Sequence, residues 1–172
     1  MQDSRKEDLL KQLYYKNYPI MLRYGLKLVG DRALVLDVIQ GLFLRFYEKG
    51  LNLEMHPAPN AYVVKSFRRE LIKVEKKYYG TENKLQTDSV QYSYEDILIQ
   101  KENSFEQNTK LVKLLNSLTD RQREIIWLHY FEGKSYSEVA EILDVNYQSI
   151  LNNLQRSFRK IRNEFPKGVE SL

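Results

Sequence analysis

Apolar side chains recur at three- and four-residue spacing along most of this chain, and little interrupts them. Seven glycines and four prolines occur in 172 residues. The stretches between them carry the period of an amphipathic helix rather than the alternation of a strand. Leu10, Leu13, Tyr14, Ile20, Leu22 and Leu26 mark a first helix over about residues 7–28, with Pro19 as a point of breakage or kinking. Gly30-Asp31 punctuates, and Asp31 is suited to cap a second helix from about Arg32 to Lys49 that stops at Gly50. A third starts near Pro57-Ala58-Pro59-Asn60, with Asn60 as its N-cap, and runs to about Tyr79 before Gly80. Thr81 to Ser93 is polar, lacks a sustained apolar period and reads as linker, and helical pattern resumes over Tyr94–Glu102 and Phe105–Leu118. No alternating strand pattern appears outside the linker. The expected fold is therefore all-α, with two small helical domains at residues 1–80 and 105–172 joined by a linker at 81–104.

The segment from Leu118 to Arg162 has the most specific local pattern. Thr119 or Asp120 caps a helix containing Ile125, Ile126, Leu128 and Tyr130, and Gly133 ends it. Ser135 caps a short helix, Tyr136 to Leu143, with Glu138 as its capping-box partner. A tight turn, Asp144-Val145-Asn146, leads into a longer helix from Tyr147. This is helix-turn-helix spacing. Ala140 is small where the two helices would cross, and Asp144 tolerates a left-handed backbone less readily than Gly. In the last helix Ile150, Leu151, Leu154, Phe158 and Ile161 form a core stripe, and Gln148, Asn152, Gln155, Arg159 and Arg162 lie on another face. Amides and arginines there can bond adenine and guanine edges in the major groove, and basic residues further along can meet phosphates.

Charge is concentrated on two helices. The chain has 27 Lys+Arg and 23 Asp+Glu, a formal net charge of +4. Lys65, Arg68, Arg69, Lys73, Lys76 and Lys77 against Glu70 and Glu75 give +4 between residues 65 and 77. Arg156, Arg159, Lys160 and Arg162, with no acid from Tyr147 to Asn163, give another +4. The remainder is net −4. Such clustering is expected of a polyanion binder. On the first basic helix, Tyr62, Phe67, Tyr78 and Tyr79 accompany the cations, a combination suited to unstacked single-stranded bases.

Other classes are disfavoured. With no cysteine there is no disulfide framework or thiolate chemistry. The most apolar stretch, Ala33 to Phe46, contains Asp37, Gln40 and Arg45, and falls short of the roughly 18–20 residues needed to span a membrane. The amino terminus lacks a signal-peptide core. His56 and His129 are isolated, no glycine-rich phosphate loop occurs, and Glu95 and Asp96 suit a helix start. The expectation is a soluble cytoplasmic protein with no catalysis, no cofactor, no metal and no membrane insertion.

The residues resemble a known family. Leu118-Thr119, Gln122-Arg123-Glu124, Tyr130-Phe131-Glu132-Gly133, Ser135-Tyr136, Glu138-Val139-Ala140-Glu141-Ile142-Leu143 and the Arg156–Arg162 tail resemble region 4 of extracytoplasmic-function sigma factors of bacterial RNA polymerase. Asp37, Gln40, Phe43 and Arg45 resemble the region 2 helix that docks on the polymerase clamp, and Ala61 to Arg68 resembles the part of region 2 that recognises and melts the minus-10 element. Departures are Asp144 for a usual Gly, Tyr147-Gln148-Ser149 where small and Thr residues are common, Gly41 for an acid, Arg69 for a frequent Asn and Lys73 for a frequent Asp.

The resemblance implies a sigma factor that binds core RNA polymerase through Asp37, Gln40, Phe43 and Arg45. It implies minus-10 contacts by Tyr62, Lys65, Arg68, Arg69, Lys73, Lys76 and Lys77. It implies promoter DNA contacts at the minus-35 element by Tyr147, Gln148, Ser149, Asn152, Asn153, Gln155, Arg156, Arg159 and Lys160. An anti-sigma protein covering these surfaces is a further implied partner. Two other readings remain open from the residues: a dimeric helix-turn-helix transcriptional regulator, and a helical polymerase-binding adaptor.

Overall fold

The computed structural model describes residues 2–49, 53–79, 90–98 and 105–164. The expected helix stops Gly50 and Gly80, most of the 81–104 segment and the carboxy-terminal residues 165–172 lie outside them. Eight α-helices are described: α1 (Gln2–Val29), α2 (Arg32–Glu48), α3 (Pro59–Tyr79), α4 (Tyr94–Leu98), α5 (Phe105–Asn116), α6 (Asp120–Ile126), α7 (Tyr136–Leu143) and α8 (Tyr147–Glu164). The fold is all-α.

In the amino-terminal module α1, α2 and α3 pack on one another. Pro19 does not break α1, which continues through it. Leu13, Asn17, Ile20, Met21, Tyr24 and Leu28 are buried along one stripe on both sides of it, and that packing outweighs the single donor a proline removes. Asp31 caps α2 by accepting from the Leu34 amide at 3.1 Å. Asn60 is not the N-cap expected of α3. The helix starts one residue earlier with Pro59 in its first turn, where a missing amide hydrogen is harmless. Asn60 instead accepts a hydrogen bond from buried Asn17 at 3.0 Å, joining α3 to α1.

In the carboxy-terminal module α6 and α7 pack on α8. The expected capping box of Ser135 with Glu138 forms, and Thr119 rather than Asp120 caps α6, in a second box with Gln122. The helix begun by α6 widens into a π-turn over Trp127–Phe131, and Gly133 follows with φ of 65°. Asn146 caps α8 by accepting from the Ser149 amide at 2.7 Å. Ile150, Leu154 and Ile161 are buried, as the stripe required, and Trp127 lies in the core, stacked on Phe131.

The segment read as linker is in part packed structure. Val90, Tyr92 and Ile97 are buried. The Tyr92 amide donates to Asn116 Oδ1 at 2.8 Å, and Asn116 Nδ2 donates back to the Tyr92 carbonyl at 2.9 Å. An amide side chain thus supplies both partners that a neighbouring strand would give. These contacts, and α4, tie residues 90–98 to the carboxy-terminal module. The helix expected over Tyr94–Glu102 is described as far as Leu98.

Candidate nucleic-acid interface

On α8 the buried stripe leaves Gln148, Asn152, Gln155, Arg156, Arg159 and Arg162 exposed on the side away from the core. Tyr147 is also exposed. Gln148 Nε2 donates to Asn152 Oδ1 at 3.0 Å, one turn on, so the two amides are arranged as a pair. That bond leaves Gln148 Oε1 as an acceptor and Asn152 Nδ2 as a donor on two exposed residues. Asn153 turns along the helix instead, its Nδ2 donating to the Ser149 carbonyl at 2.8 Å, and Ser149 is half-buried. Lys160 Nζ donates to the Ser117 carbonyl at 2.7 Å, closing the end of α5. Of the residues the sequence nominates, the structure therefore brings Tyr147, Gln148, Asn152, Gln155, Arg156 and Arg159 together on an open face, commits Asn153 and Lys160 to backbone carbonyls and leaves Ser149 half-buried beside them.

The basic face of α3 is arranged differently, because α7 packs against it. Lys65 Nζ lies 2.8 Å from Asp144 Oδ1 and 3.1 Å from Glu141 Oε1. Arg69 bonds the other Asp144 oxygen. Arg68 grips Glu124 with two bonds, Nε to Oε1 at 2.7 Å and one terminal nitrogen to Oε2 at 3.1 Å. The Tyr24 hydroxyl donates to the same Glu124 oxygen. Lys65 and Arg68 side chains are only 15% and 17% exposed as a result. Lys73, Lys76 and Lys77 remain exposed further along α3. Tyr62 is half-buried and stacks on Phe46 at 6.3 Å, so it serves the core in this arrangement.

The charge states follow from these contacts. Hydrogen bonds from Lys65 and then Arg69 hold the Asp144 carboxyl below its ordinary range. The bond to Asp144 likewise raises Lys65. Burial, reinforced by Glu124, pushes the Tyr24 phenol well up, so it stays protonated and donates. Burial alone would lower Arg68, yet Tyr24 and Glu124 together raise it. Lys65, Arg68 and Asp144 are thus held in their charged forms. Two further ion pairs join the modules, Arg23 with Glu132 at 2.6 Å and Lys27 with Asp96 at 2.5 Å. The Lys27 ammonium also sits 5.1 Å from the Trp127 ring centre.

A third surface lies on α2. Asp37 and Gln40 are exposed on its outer face, and the helix repeat carries that face on to Leu44 and Tyr47, which are 57% and 60% exposed. Phe43 is half-buried against Tyr14 at 5.1 Å, and Arg45 reaches Glu70 at 3.5 Å. Beside them is an open groove of about 380 Å³ lined by residues that include Leu10, Tyr14, Tyr15, Phe43 and Tyr47. Leu44, Tyr47 and Tyr15 were not singled out by the motif. The signal for Leu44 and Tyr47 is the outward continuation of the Asp37–Gln40 stripe, and Tyr15 comes beside them from α1 through the fold.

His129 Nδ1 lies 2.7 Å from the Lys134 carbonyl, and His56 Nδ1 accepts from the Ala58 amide at 3.1 Å. Both imidazoles serve local structure. No helix among the described residues is long and apolar enough to cross a membrane.

Fold and surface together define a helical protein of two modules, the second a helix-turn-helix whose last helix presents a polar and cationic face. Residues 109–161 match the family model of sigma-70, region 4. An extracytoplasmic-function RNA polymerase sigma factor, SigK of Mycobacterium ulcerans, is 34% identical over 58 residues, which are 34% of this chain and 31% of that protein. The UPF0122 protein TTE1463 of Caldanaerobacter subterraneus is 42% identical over 40 residues, 23% of this chain and 34% of that one. These matches span about a third of the relatives' length. The sigma factor RpoE of Bartonella quintana, solved with the anti-sigma factor NepR, superposes with a TM-score of 0.60 at 18% identity, covering 92% of this chain and 97% of that chain. The PhyRSL–NepR complex of Sphingomonas sp. Fr1 superposes with a TM-score of 0.56 at 15% identity, over 90% of this chain and 87% of that chain. The structural likeness is one of fold and extends over both modules. Residues 109–161 are thus similar to sigma-70 region 4, and the fold of the chain as a whole is like that of the solved Bartonella sigma factor.

Proposed function

We infer that the chain is a sigma factor that binds core RNA polymerase and directs it to promoters, with α8 reading a duplex element and α3 engaging the strand that opens. The observation that carries this reading is the outer face of α8: paired amides in its first two turns, arginines in the next two, and no acid between Tyr147 and Asn163. Neutral amides suit base edges, and arginines suit phosphates. Asp37, Gln40, Phe43 and Arg45, with Leu44 and Tyr47 beside them, form the proposed contact with core polymerase. An anti-sigma factor is a proposed partner by analogy with the complex of the Bartonella protein, and the cytoplasm is the proposed compartment.

The residues also suggest which bases are read. The first basic residue of α8 is Arg156, in its third turn. Asn and Gln pair with the N6 and N7 of adenine, whereas guanine is read chiefly by Arg or Lys. The duplex selected by the full chain from a random pool is therefore expected to hold adenine where Gln148 and Asn152 reach. Asn152→Ala should erase that preference, by about 5- to 150-fold for a bidentate contact worth roughly 1–3 kcal/mol. Replacing Arg156 and Arg159 together with Ala should weaken all duplexes alike and flatten the salt dependence, by about one unit of slope for each phosphate these arginines neutralise. Selection of guanine at the Asn152 position would refute the base assignment. An unaltered salt slope would move the arginines off the DNA.

A further inference from the structure

Asp144 is the one non-glycine residue with positive φ among the described residues, at φ 57° and ψ 48°. It ends α7 at a position where glycine carries no steric penalty and a side chain does. A side chain held in a disfavoured backbone region invites the question of what it does there. Its two carboxylate oxygens are divided between Lys65 and Arg69 of α3, while Glu141, one turn earlier on α7, shares Lys65. Glu124 of α6 takes Arg68. Three successive cations on the face of α3 thus meet carboxylates of the helix-turn-helix module, at distances a phosphate oxygen would also adopt.

We propose that Asp144, with Glu141, is an intramolecular competitor for the DNA-binding cations of α3, holding the chain in a closed form that nucleic acid must displace. The inference rests on the reading of α3 as a DNA-engaging face. In the closed form Lys65 and Arg69 meet a carboxylate where the open form would offer them to a phosphate backbone. Lys73, Lys76 and Lys77 stay exposed and make the first contact, and displacement of the carboxylates follows. Asp144 is 55% exposed, so its pairs with Lys65 and Arg69 are screened by water and weak, and the closed form resists DNA without excluding it. Arg69 and Asp144, both departures from the sequence pattern, acquire one joint explanation.

The chain has no native cysteine, so spin labels can be placed at Gln12→Cys and Glu164→Cys, both exposed, without background. In full-length chain carrying these labels, Asp144→Asn removes the charge and retains a residue that tolerates the left-handed region, and Asp144→Gly relieves the backbone as well. Both are expected to broaden the inter-label distance distribution. Both should tighten binding of a single-stranded oligonucleotide, by roughly three- to tenfold, because apparent affinity scales with the fraction of open chain. Glu106→Gln, which removes an exposed pair with Lys110 inside α5, should change neither. Unaltered distances and affinity in both Asp144 variants would overturn the proposal. Broadened distances with no oligonucleotide bound by any variant would support the closed form and overturn the DNA reading of α3.

Discussion

Replacing Glu124 with Ala is expected to destabilise the folded chain by about 3–5 kcal/mol, the cost of breaking a buried ion pair by deleting one partner. Glu124 accepts from both the Arg68 guanidinium and the Tyr24 hydroxyl. Its side chain is 3% exposed, so water cannot take its place without opening the boundary between the modules. Without it, Arg68 loses its carboxylate and keeps only the Tyr24 oxygen at 3.1 Å, while the buried phenol loses its acceptor. Urea unfolding followed by Trp127 fluorescence measures the loss, since Trp127 is buried in the carboxy-terminal module and lies under Lys27 of α1. Tyr24→Phe, Arg68→Met and Glu124→Leu combined should recover most of the stability, because the buried charges go together and the remaining partner, Arg121 at 3.7 Å, is 40% exposed and keeps its water. A loss below about 0.5 kcal/mol in Glu124→Ala, the range of an ordinary surface change, would mean the modules do not rest on this triad.

The second large effect is expected at Gly25, where α1 meets Val35 of α2 and Phe67 of α3. A Cβ built there lies 2.8 Å from Phe67 Cζ and 2.8 and 2.9 Å from the two Val35 methyls. Phe67 and Val35 are both fully buried and have nowhere to retreat. Overpacking of this kind typically costs about 1–3 kcal/mol. The better helix propensity of Ala over Gly, up to about 1 kcal/mol, offsets only part of it. Gly25→Ala should therefore lower the thermal unfolding midpoint measured by far-ultraviolet circular dichroism, and Gly25→Val should lower it further. Val35→Ala removes the clashing methyls. The double variant Gly25→Ala/Val35→Ala should be more stable than the sum of the two single losses implies. Strict additivity would show that the clash is absorbed elsewhere.

What could be read from the sequence was local. Asp31, Thr119 and Ser135 with Glu138 announce helix starts within three residues, and each forms the bond its type predicts, while the partner of Thr119 in its own box, Gln122, emerged from the fold. The core stripe of α8 and the turn at Asp144 were legible for the same reason. Asn60 misled because cap preference is a weak signal beside a proline one residue earlier, and Pro19 misled because tertiary packing overrides a local breaker. The docking of Val90 and Tyr92 on Asn116 has no periodic signature in so short an extended segment. Least legible were the pairs across the modules. Arg68 and Glu124 are 56 positions apart and Arg69 and Asp144 are 75 apart. A charge count assigns such residues to patches but cannot tell which patch meets which. The basic cluster on α3 was visible as charge, and its occupation by carboxylates emerged only from the fold.

Promoter-directed initiation is best tested by adding the purified chain to sigma-free core RNA polymerase and measuring run-off transcription. The template should carry promoters selected by the reconstituted complex. The expected result is a transcript of defined start that depends on the added chain and disappears when Arg156 and Arg159 are both replaced by Ala. A chain that neither binds core polymerase nor yields a promoter-dependent transcript would not be a sigma factor.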